Sequence, residues 1–380
     1  MNKKKLLFIV NVDWFFISHR LPIALKAIEE GYEVHLLCTI TDKAEYLKGL
    51  GLIVHPFLFS RSGRDIFNEL ACVFGLYKQI KSIKPDLLHL VTIKPVLYGG
   101  IAARMAKVPG VVSAVSGLGF LFVKRAGLQA KLLRNTALFL YRLAMGHPNQ
   151  RVIFQNQTDM NTLVVTNCVQ KDKVRIIRGS GVDLQDYHVL PEPDGTPIVV
   201  MASRLLKDKG VYEFVEAARL VKSKGVKVLF QLIGEPDSGN PASVTTDTVR
   251  SWQDEGVVEC LGFRSDIAHL FAQAHIVVLP SYREGLPKVL MEAAACGRAV
   301  ITTDMPGCRD AVEPDVSGLL VPARNAKALA QAIERLIKDD ILRKQMGRAG
   351  RDLAEREFSV DKVVAAHIAI YRELEICDRL

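Results

Sequence analysis

The chain has 380 residues, 49% of them hydrophobic and 24% charged, a composition that excludes a disordered protein and a length that predicts two domains. No stretch reaches 18 consecutive apolar residues, which excludes a transmembrane helix, and seven cysteines without a Cys-x-x-Cys pair indicate reduced thiols in a cytosolic protein. The net charge of +9 arises in residues 1–150, where 20 Lys and Arg accompany 9 Asp and Glu, and this excess predicts an anionic partner.

Strand-like and helix-like segments alternate through the first half of the chain. This alternation predicts a doubly wound parallel sheet, whose ligands bind beyond the carboxyl ends of the strands. The loops at residues 11–20, 92–95 and 115–125 follow predicted strands, and they are therefore expected to be functional. The predicted elements are strand 6–10, helix 21–28, strand 33–38, strand 53–59, helix 70–83, strand 87–91, a strand from residue 111, helix 128–145, strand 151–156 and a strand from residue 174.

The first of these loops is aromatic and polar. It has no Gly-x-Gly-x-x-Gly pattern, which argues against a dinucleotide-dependent dehydrogenase. Trp14 and its neighbours are suited to stacking on a sugar or lining an acceptor cleft, although packing in the core is an equal alternative for Trp14 and Phe15. In the loop after residue 115, Gly117 and Gly119 would let the backbone approach a diphosphate or a sugar closely.

A long basic segment follows without any acidic residue between Asp86 and Asp159. Within it, the predicted helix at residues 128–145 combines basic side chains with leucines. Such a helix predicts docking on anionic lipid, whereas the alternative is an ordinary domain helix with solvated arginines. The basic residues of the segment are Lys94, Arg104, Lys107, Lys124, Arg125, Lys131, Arg134, Arg142 and Arg151.

A turn-rich linker at residues 190–196 separates this half from a second alternating series. The second series predicts another Rossmann-like domain, followed by a final amphipathic helix at residues 360–374. Its predicted elements are strand 198–203, helix 212–221, strand 226–233, strand 257–261, helix 267–274, strand 276–279, helix 286–296, strand 299–303, strand 319–322 and helix 326–337.

Two cations, Arg204 and Lys209, follow the first strand of the second series, and Gly210 opens the next helix. Fixed cations at a strand end beside a helix N-terminus suit a diphosphate, whereas a solvated basic loop is the alternative.

Two carboxylates mark the strand, turn and helix around residue 285. Glu292 stands among apolar residues and is therefore expected to be buried, where paired ligand hydroxyls such as those of a ribose would hydrogen-bond it; a surface-facing stripe is the alternative. Glu284 lies in the turn, where an acidic residue is also favoured simply by a helix N-terminus. The turn before the helix leaves backbone N–H groups free to bind an anion.

The Glu284-x7-Glu292 pattern, within Arg-Glu-Gly-Leu-Pro and Met-Glu-Ala-x-Ala-x-Gly, resembles the signature of the retaining glycosyltransferases of family four, in the bacterial capsule and O-antigen branch. The resemblance implies the GT-B fold, an α/β architecture of two Rossmann-like, doubly wound parallel-sheet domains facing across a cleft. It implies an acceptor-binding domain at residues 1–188, a nucleotide-sugar-binding domain at 189–357 and a helix at 358–380 that packs back toward the first domain.

The resemblance also assigns roles to single residues. Ser116 occupies the position at which that branch usually carries a histidine beside the reacting sugar. The implied catalytic residues are Arg204, Lys209, Glu284 and Ser116. The implied donor-binding residues are Gly117, Gly119, Arg204, Lys209, Gly234, Phe263, Arg264, Glu284, Gly285, Leu286 and Glu292. The predicted acceptor-binding residues come instead from the aromatic first loop and the basic segment, and they are Trp14, His19, Arg20, Lys94, Lys124 and Arg125.

The implied reaction is retaining transfer of a hexose or N-acetylhexosamine from a UDP-sugar to a polyprenyl-diphosphate-linked saccharide, in the assembly of capsule or O-antigen. The sequence contains no Asp-x-Asp pair and no cluster with metal-ligand spacing, so neither a metal nor another cofactor is expected. The expected setting is the cytoplasm, at the anionic inner face of the membrane, with no nucleic-acid partner. Two alternatives remain: a UDP-sugar epimerase of the same architecture, and a nucleotide-sugar-binding protein without transferase activity, which Ser116 suggests.

Overall fold

A computed structural model describes residues 3–59, 66–119, 127–237 and 239–377. The chain forms two compact units, one of residues 1–180 with 361–380 and one of residues 181–360. Each unit is built on a sheet of parallel strands.

Among the described residues, the first unit contains seven parallel strands. They are β1 (Lys5–Val12), β2 (Glu33–Thr39), β3 (Ile53–Pro56), β4 (Leu87–Val91), β5 (Gly110–Val115), β6 (Gln150–Phe154) and β7 (Val174–Ile176). Their order across the sheet is β3-β2-β1-β4-β5-β6-β7. Leu7 and Ile9 of β1 join one hydrophobic layer and Leu6 and Phe8 join the opposite one, because alternate side chains along a strand point to opposite faces.

In the described part of the second unit, six parallel strands form the sheet. They are β8 (Ile198–Ala202), β9 (Leu229–Ile233), β10 (Glu259–Gly262), β11 (Ile276–Leu279), β12 (Ala299–Thr303) and β13 (Gly318–Val321). Their order is β10-β9-β8-β11-β12-β13. The central strands are unbroken apolar runs because helices cover the sheet, as in other parallel sheets.

Helices connect successive strands in both units. Those of the described chain are α1 (Asp13–His19), α2 (Leu21–Glu29), α3 (Ala44–Gly49), α4 (Ile66–Ile83), α5 (Gly100–Ala106), α6 (Leu128–Ala144), α7 (Gln157–Val165), α8 (Val211–Ser223), α9 (Thr246–Asp254), α10 (Ile267–Ala272), α11 (Lys288–Ala295), α12 (Ala326–Lys338), α13 (Asp340–Leu353) and α14 (Val360–Cys377). The π-helical turns Pro95–Gly99 and Ala354–Phe358 precede α5 and α14, and 3-10 turns occupy Lys171–Lys173, Lys207–Lys209 and Arg309–Ala311.

The prediction of a loop at residues 11–20 is wrong, since β1 continues to Val12 and α1 fills most of the remainder. The buried Asp13 carboxylate starts this helix by accepting hydrogen bonds from the backbone N–H groups of Trp14, at 2.8 Å, and Thr41, at 2.7 Å. A carboxylate is favoured at a helix N-terminus, and Asp13 thereby ties α1 to the segment after β2.

The last helix of the chain packs on the first sheet. The Tyr371 hydroxyl and His89 Nδ1 share a hydrogen bond of 2.6 Å in the buried layer between α14 and β4. Glu373 accepts hydrogen bonds from Arg151, at 2.8 Å, and Arg175, at 2.6 Å. Burial lowers the pKa of His367, on α14, to about 3, so its imidazole is neutral at ordinary pH.

The turn-rich linker is fastened to the second unit by buried basic side chains. Arg343 donates to both carboxylate oxygens of Glu192, at 2.9 and 2.8 Å. Arg298 donates to the Leu190 carbonyl at 2.9 Å, and His275 Nε2 lies 3.1 Å from the Pro193 carbonyl. The segment therefore folds as part of the second unit, although its composition resembles a flexible connection.

Candidate active site

The site is built at the carboxyl edge of the second sheet, where the direction of strand winding reverses. β8 and β11 are neighbours there, because the chain adds β9 and β10 on one side of β8 before it returns to add β11 on the other. Such a switch point separates the loops that follow the two strands and leaves a crevice for a ligand. Residues 203–210 after β8 and residues 280–287 after β11 line this edge.

Backbone contacts hold these two loops together. The Asp208 carbonyl, in the 3-10 turn, accepts a hydrogen bond from the Tyr282 N–H at 2.9 Å. Gly210 has a φ of +76°, and a Cβ there would lie 2.2 Å from the Pro280 carbonyl oxygen. The turn that carries Lys209 therefore reaches its place only because residue 210 has no side chain.

Lys209 and Glu284 meet at this edge. The Lys209 ammonium lies 2.5 Å from Glu284 Oε1, and the Ser281 hydroxyl lies 2.7 Å from the same oxygen. Both charged side chains are largely shielded, with exposed fractions of 19% and 13%. The structure thus places a cation suited to a phosphate oxygen beside a carboxylate suited to sugar hydroxyls.

The segment after β12 supports the Glu284 backbone. The Glu284 N–H donates to the Pro306 carbonyl at 3.1 Å, and a Cβ at Gly307 would lie 2.3 Å from the Glu284 carbonyl oxygen. Burial, and then the Glu284 charge, raise the pKa of the nearby Cys308 thiol to about 12, so this thiol is neutral. Residues 304–310 were not among the predicted site residues, although the glycine in this loop, which follows a predicted strand, was an available signal.

Glu292 is buried on α11 as expected, but it finds partners inside its own unit. The Tyr187 hydroxyl donates to Glu292 Oε1 at 2.8 Å, and the Lys288 ammonium lies 3.3 Å from the same oxygen. Burial, and then the Glu292 charge, raise the pKa of Tyr187, so the phenol stays protonated and able to donate. Tyr187 was missed because 105 residues separate it from its partner.

Arg204 lies at the more exposed end of the edge. Its Nη1 is 3.3 Å from Asp237 Oδ2, in the loop after β9, and 53% of its side chain is exposed. Arg204 therefore keeps solvent-facing donors, whereas Lys209 is held inside. Sequence reasoning did not identify Asp237.

The loops that carry the predicted donor-binding residues Gly234, Phe263 and Arg264 adjoin each other at the ends of β9 and β10. The Gly234 N–H donates to the Gly262 carbonyl at 2.8 Å, and the Phe263 ring is exposed. Arg264 pairs with Asp266 at 2.5 Å, on the surface. An exposed aromatic ring at a strand end offers a face for stacking.

In the first unit, β1 and β4 form the corresponding switch point. Ser116 follows β5, and its Oγ is buried without a hydrogen-bond partner among the described residues. The loop that contains Gly117 and Gly119 is held by Asp159, whose carboxylate accepts from the Leu118 N–H at 3.2 Å.

Comparison with known proteins places this arrangement in a family. Residues 5–156 match the model described as Glycosyl transferase 4-like, and residues 185–353 match Glycosyl transferases group 1. A Campylobacter jejuni protein named N,N'-diacetylbacillosaminyl-diphospho-undecaprenol alpha-1,3-N-acetylgalactosaminyltransferase is 32% identical, over 96% of this chain and 98% of its own. The chain belongs to the glycosyltransferase family that these two models describe.

Other relatives agree with this assignment. An Escherichia coli protein named UDP-Gal:alpha-D-GlcNAc-diphosphoundecaprenol alpha-1,3-galactosyltransferase is 24% identical to the glycosyltransferase over 82% of each chain. Anabaena HepE, solved in complex with UDP and glucose, has a TM-score of 0.77 at 20% identity and covers 97% of the glycosyltransferase and 99% of HepE. The predicted family and the predicted GT-B class of two Rossmann-like domains are confirmed, and the epimerase alternative receives no support.

The predicted acceptor residues of the glycosyltransferase occupy varied environments. Trp14 is half-exposed on α1, and His19 stacks on Phe15 with ring centroids 4.1 Å apart. Arg20 is buried and donates to the His19 carbonyl at 2.8 Å, and burial lowers its pKa to about 10. Lys124 and Arg125 lie outside the described residues.

In the folded glycosyltransferase, acidic side chains from outside the basic segment pair with some of its basic residues. The Lys94 ammonium lies 2.8 Å from Glu69 of α4, and Arg151 pairs with Glu373 of α14. Within the described ranges, no three His, Cys, Asp or Glu side chains lie close enough to hold a metal ion together. None of the helices described for the glycosyltransferase is both long and apolar enough to cross a bilayer.

Proposed function

We propose that this glycosyltransferase moves a hexose or N-acetylhexosamine from a UDP-sugar to a saccharide on a polyprenyl diphosphate, with retention at the anomeric carbon and without a metal ion. The Lys209–Glu284 pair at the switch point of the second sheet carries the proposal, because it joins a phosphate-binding cation to a hydroxyl-binding carboxylate. The names of the C. jejuni and E. coli relatives, and the UDP bound by HepE, support the choice of substrates.

On the donor side, Lys209 and Arg204 bind oxygens of the UDP diphosphate. An ammonium has three donors, so Lys209 can keep its contact with Glu284 while it binds a phosphate oxygen. Each charge-assisted hydrogen bond is worth about 1.5–3 kcal/mol. Because these cations stand where charge grows on the departing group, they take the place of a metal ion in the proposed reaction.

The remaining donor groups hold the sugar and the ribose. Glu284 and the backbone of Gly285 and Leu286 bind hydroxyls of the donor sugar, while Glu292 binds the ribose and Tyr187 keeps its Oε1 fixed. The bond from the anomeric carbon to the phosphate oxygen breaks as the acceptor hydroxyl bonds to the same face. The hydroxyl proton passes to the departing phosphate oxygen, so no protein base is consumed.

The acceptor is proposed to arrive from an anionic membrane surface through α6 and α4. Exposed Leu132, Leu133 and Phe139 on α6 stand beside the exposed Lys131 and Arg134. Each basic residue near anionic lipid contributes about 1 kcal/mol, and the apolar side chains add burial in the headgroup layer.

A second apolar stripe lies on α4. Phe67, Leu70 and Phe74 recur at helical spacing and are exposed, with Lys78 placed 4.7 Å from the Phe74 ring centroid. α4 and α6 cover the same face of the first sheet, because their buried residues join one hydrophobic layer. Two helices on the same face of the sheet therefore expose apolar and basic side chains, and this combination is typical of a surface that binds anionic lipid.

Release of UDP across a panel of UDP-sugars tests the reaction. The purified enzyme is assayed with and without a detergent-solubilised polyprenyl-diphosphate sugar, in the presence of EDTA, and the product linkage is read by NMR. We expect acceptor-dependent release of UDP and an α-linkage from an α-linked donor. A β-linked product would refute retention, loss of rate in EDTA would refute metal independence, and acceptor-independent conversion of the donor would refute transfer.

Co-sedimentation with vesicles tests the membrane surface. Binding to phosphatidylcholine vesicles that contain phosphatidylglycerol should exceed binding to phosphatidylcholine alone, and Leu132→Ser with Phe139→Ser should reduce it at least fivefold. Tyr46→Ser is the control, since Tyr46 is equally exposed on α3, whose buried residue joins the opposite layer. Equal binding by all three proteins would exclude α6 as the docking surface.

A further inference from the structure

Tyr282 joins three parts of the second unit behind the Lys209–Glu284 pair. Its N–H donates to the Asp208 carbonyl at 2.9 Å, within the turn that carries Lys209. Its hydroxyl donates to Glu213 Oε1 at 2.6 Å, in the first turn of α8. Its ring lies under the Arg324 guanidinium, 4.6 Å from the ring centroid, in the segment after β13.

The contact with Glu213 is a short hydrogen bond from a phenol to a carboxylate oxygen, which is one of the stronger kinds in proteins. Glu213 Oε2 is buried and has no hydrogen-bond partner among the described residues, so this carboxylate depends on the Tyr282 phenol. Burial, and then Glu213, raise the pKa of Tyr282, which keeps the phenol in the form that donates. The phenol therefore fixes the start of α8, directly after Lys209 and Gly210.

The contact with Arg324 is built at a conformational cost. Arg324 has a φ of +60°, a left-handed conformation that is uncommon for a residue with a side chain. Such backbone persists where surrounding contacts hold it, and it clusters at functional sites. In this conformation the Arg324 guanidinium stacks on the Tyr282 phenol ring, which is a cation–π contact.

Tyr282 also stands next to Ser281, whose hydroxyl contacts the Lys209–Glu284 pair. The neighbouring Ser281 hydroxyl lies 2.7 Å from Glu284 Oε1 and 3.1 Å from the Asp208 carbonyl. One hydroxyl proton serves one of these acceptors at a time, so the Tyr282 N–H supplies the steady link between the two loops. A shift of Tyr282 would move the Lys209 turn relative to Glu284.

We infer that Tyr282 is a positioning residue for sugar transfer: anchored by Glu213 and Arg324, it sets the placement of Lys209 against Glu284 without touching substrate itself. This inference rests on the proposed function of that pair. It assigns Glu213, at the start of the helix that follows Lys209, and Arg324, which is distant from the pair along the sequence, to the support of the reaction.

The test is a kinetic double-mutant cycle of Tyr282→Phe and Lys209→Met. Tyr282→Phe should lower kcat/KM about 10- to 100-fold, since small displacements of a reacting group are costly. Because Tyr282 acts through Lys209, the same substitution in the Lys209→Met background should change kcat/KM less than about twofold. Tyr212→Phe is the matched control. Tyr212 precedes Glu213 and packs edge-on against Trp252, with ring centroids 5.4 Å apart, and loss of its hydroxyl should leave kcat/KM unchanged.

A purely structural role for Tyr282 would reduce the rate by the same factor in both backgrounds, and that result would overturn the inference. If Tyr282→Phe does not fold, Glu213→Ala removes the anchor from the opposite side and should show the same non-additivity with Lys209→Met. The wild-type rate separates the two claims: no UDP release by the wild type refutes the proposed function, whereas a normal wild type with additive variants refutes the positioning role alone.

Discussion

Replacing Lys209 and Glu284 singly and together measures the pair on which the proposed reaction depends. Lys209→Met leaves the Glu284 carboxylate with the Ser281 hydroxyl as its side-chain donor. Breaking a buried ion pair costs about 3–5 kcal/mol and breaking an exposed one about 0–1 kcal/mol. With exposed fractions of 19% and 13%, the pair lies nearer the buried limit, and we expect a loss of about 2–3 kcal/mol, or about 5–10 °C in Tm.

The coupling between the two side chains follows from a cycle of Lys209→Met, Glu284→Gln and the double variant. We expect a coupling of about 1–2 kcal/mol, because the neutral Gln can still accept a hydrogen bond and the double variant leaves no charge unpaired. Urea unfolding is followed by the fluorescence of Trp252, which is buried in the second unit, in a Trp14→Phe background that removes the other tryptophan.

The Arg264–Asp266 pair is a matched control for burial. Its closest N–O distance is also 2.5 Å, but its side chains are 40% and 41% exposed, so the cycle of Arg264→Met and Asp266→Asn should give a coupling below about 0.5 kcal/mol. Equal couplings in the two cycles would refute the argument from burial. A coupling near zero at Lys209 and Glu284 would show that the charges do not pair in the free enzyme.

Three further substitutions test other features of the structure. Gly210→Ala should lower the Tm of the second unit at least twice as far as Gly225→Ala, since both glycines have a positive φ but only Gly210 faces a carbonyl at 2.2 Å; thermal unfolding by circular dichroism compares them. The His367 pKa lies near 3 in the folded state and near 6.5 in the unfolded state, so the unfolded state binds more protons below pH 6.5. As the pH decreases below 6.5, the free energy of unfolding should therefore decrease by up to about 1.4 kcal/mol per pH unit. His367→Asn should reduce this slope in urea titrations between pH 7 and 4.5. Arg343→Leu leaves Glu192 without its bidentate partner and should speed hydrogen exchange in residues 190–196, as read by mass spectrometry.

Each of these has an outcome that contradicts it. Equal effects of the two glycine substitutions would show that the Pro280 carbonyl can move away. An unchanged slope in His367→Asn would place the acid sensitivity elsewhere, and unchanged exchange in Arg343→Leu would mean that Arg298 and His275 suffice to hold the linker.

Much of the fold follows from local pattern. The strands Ile276–Leu279 and Ala299–Thr303 were predicted with the observed bounds, because each begins with β-branched and other apolar residues and ends where turn residues begin. α13 was missed because its buried side includes Arg343, Gly347 and Gly350, which do not give the usual apolar periodicity. The short helix α1 was missed because its aromatic residues are as typical of a loop as of a helix.

Less of the candidate site could be predicted, since its contacts join residues far apart in the chain. The cations and carboxylates were recognisable from their places after strands, and their substrate roles stay predictions. The pairing of Lys209 with Glu284, of Tyr187 with Glu292 and of Lys94 with Glu69 depends on which strands become neighbours, and a single sequence does not show this. The charge of the basic segment was overestimated for the same reason.

The return of α14 to the first sheet has a consequence for synthesis on the ribosome. Val363, Ile368, Tyr371 and Leu374 complete the layer that contains Phe8, yet they are made after the whole second unit. At about 5–20 residues per second, residues 181–360 take roughly 10–40 s to synthesise. During that time the face of β4 that α14 covers in the complete protein stays uncovered, and His89 on this face is exposed to water.

The first unit is therefore the first to begin and the last to be finished. A ribosome stalled within the second unit holds a first sheet with one face incomplete, which is a surface that chaperones bind. Proteins shortened before residue 360 lose the cover of the first sheet rather than a dispensable tail, so the start of the chain depends on its end.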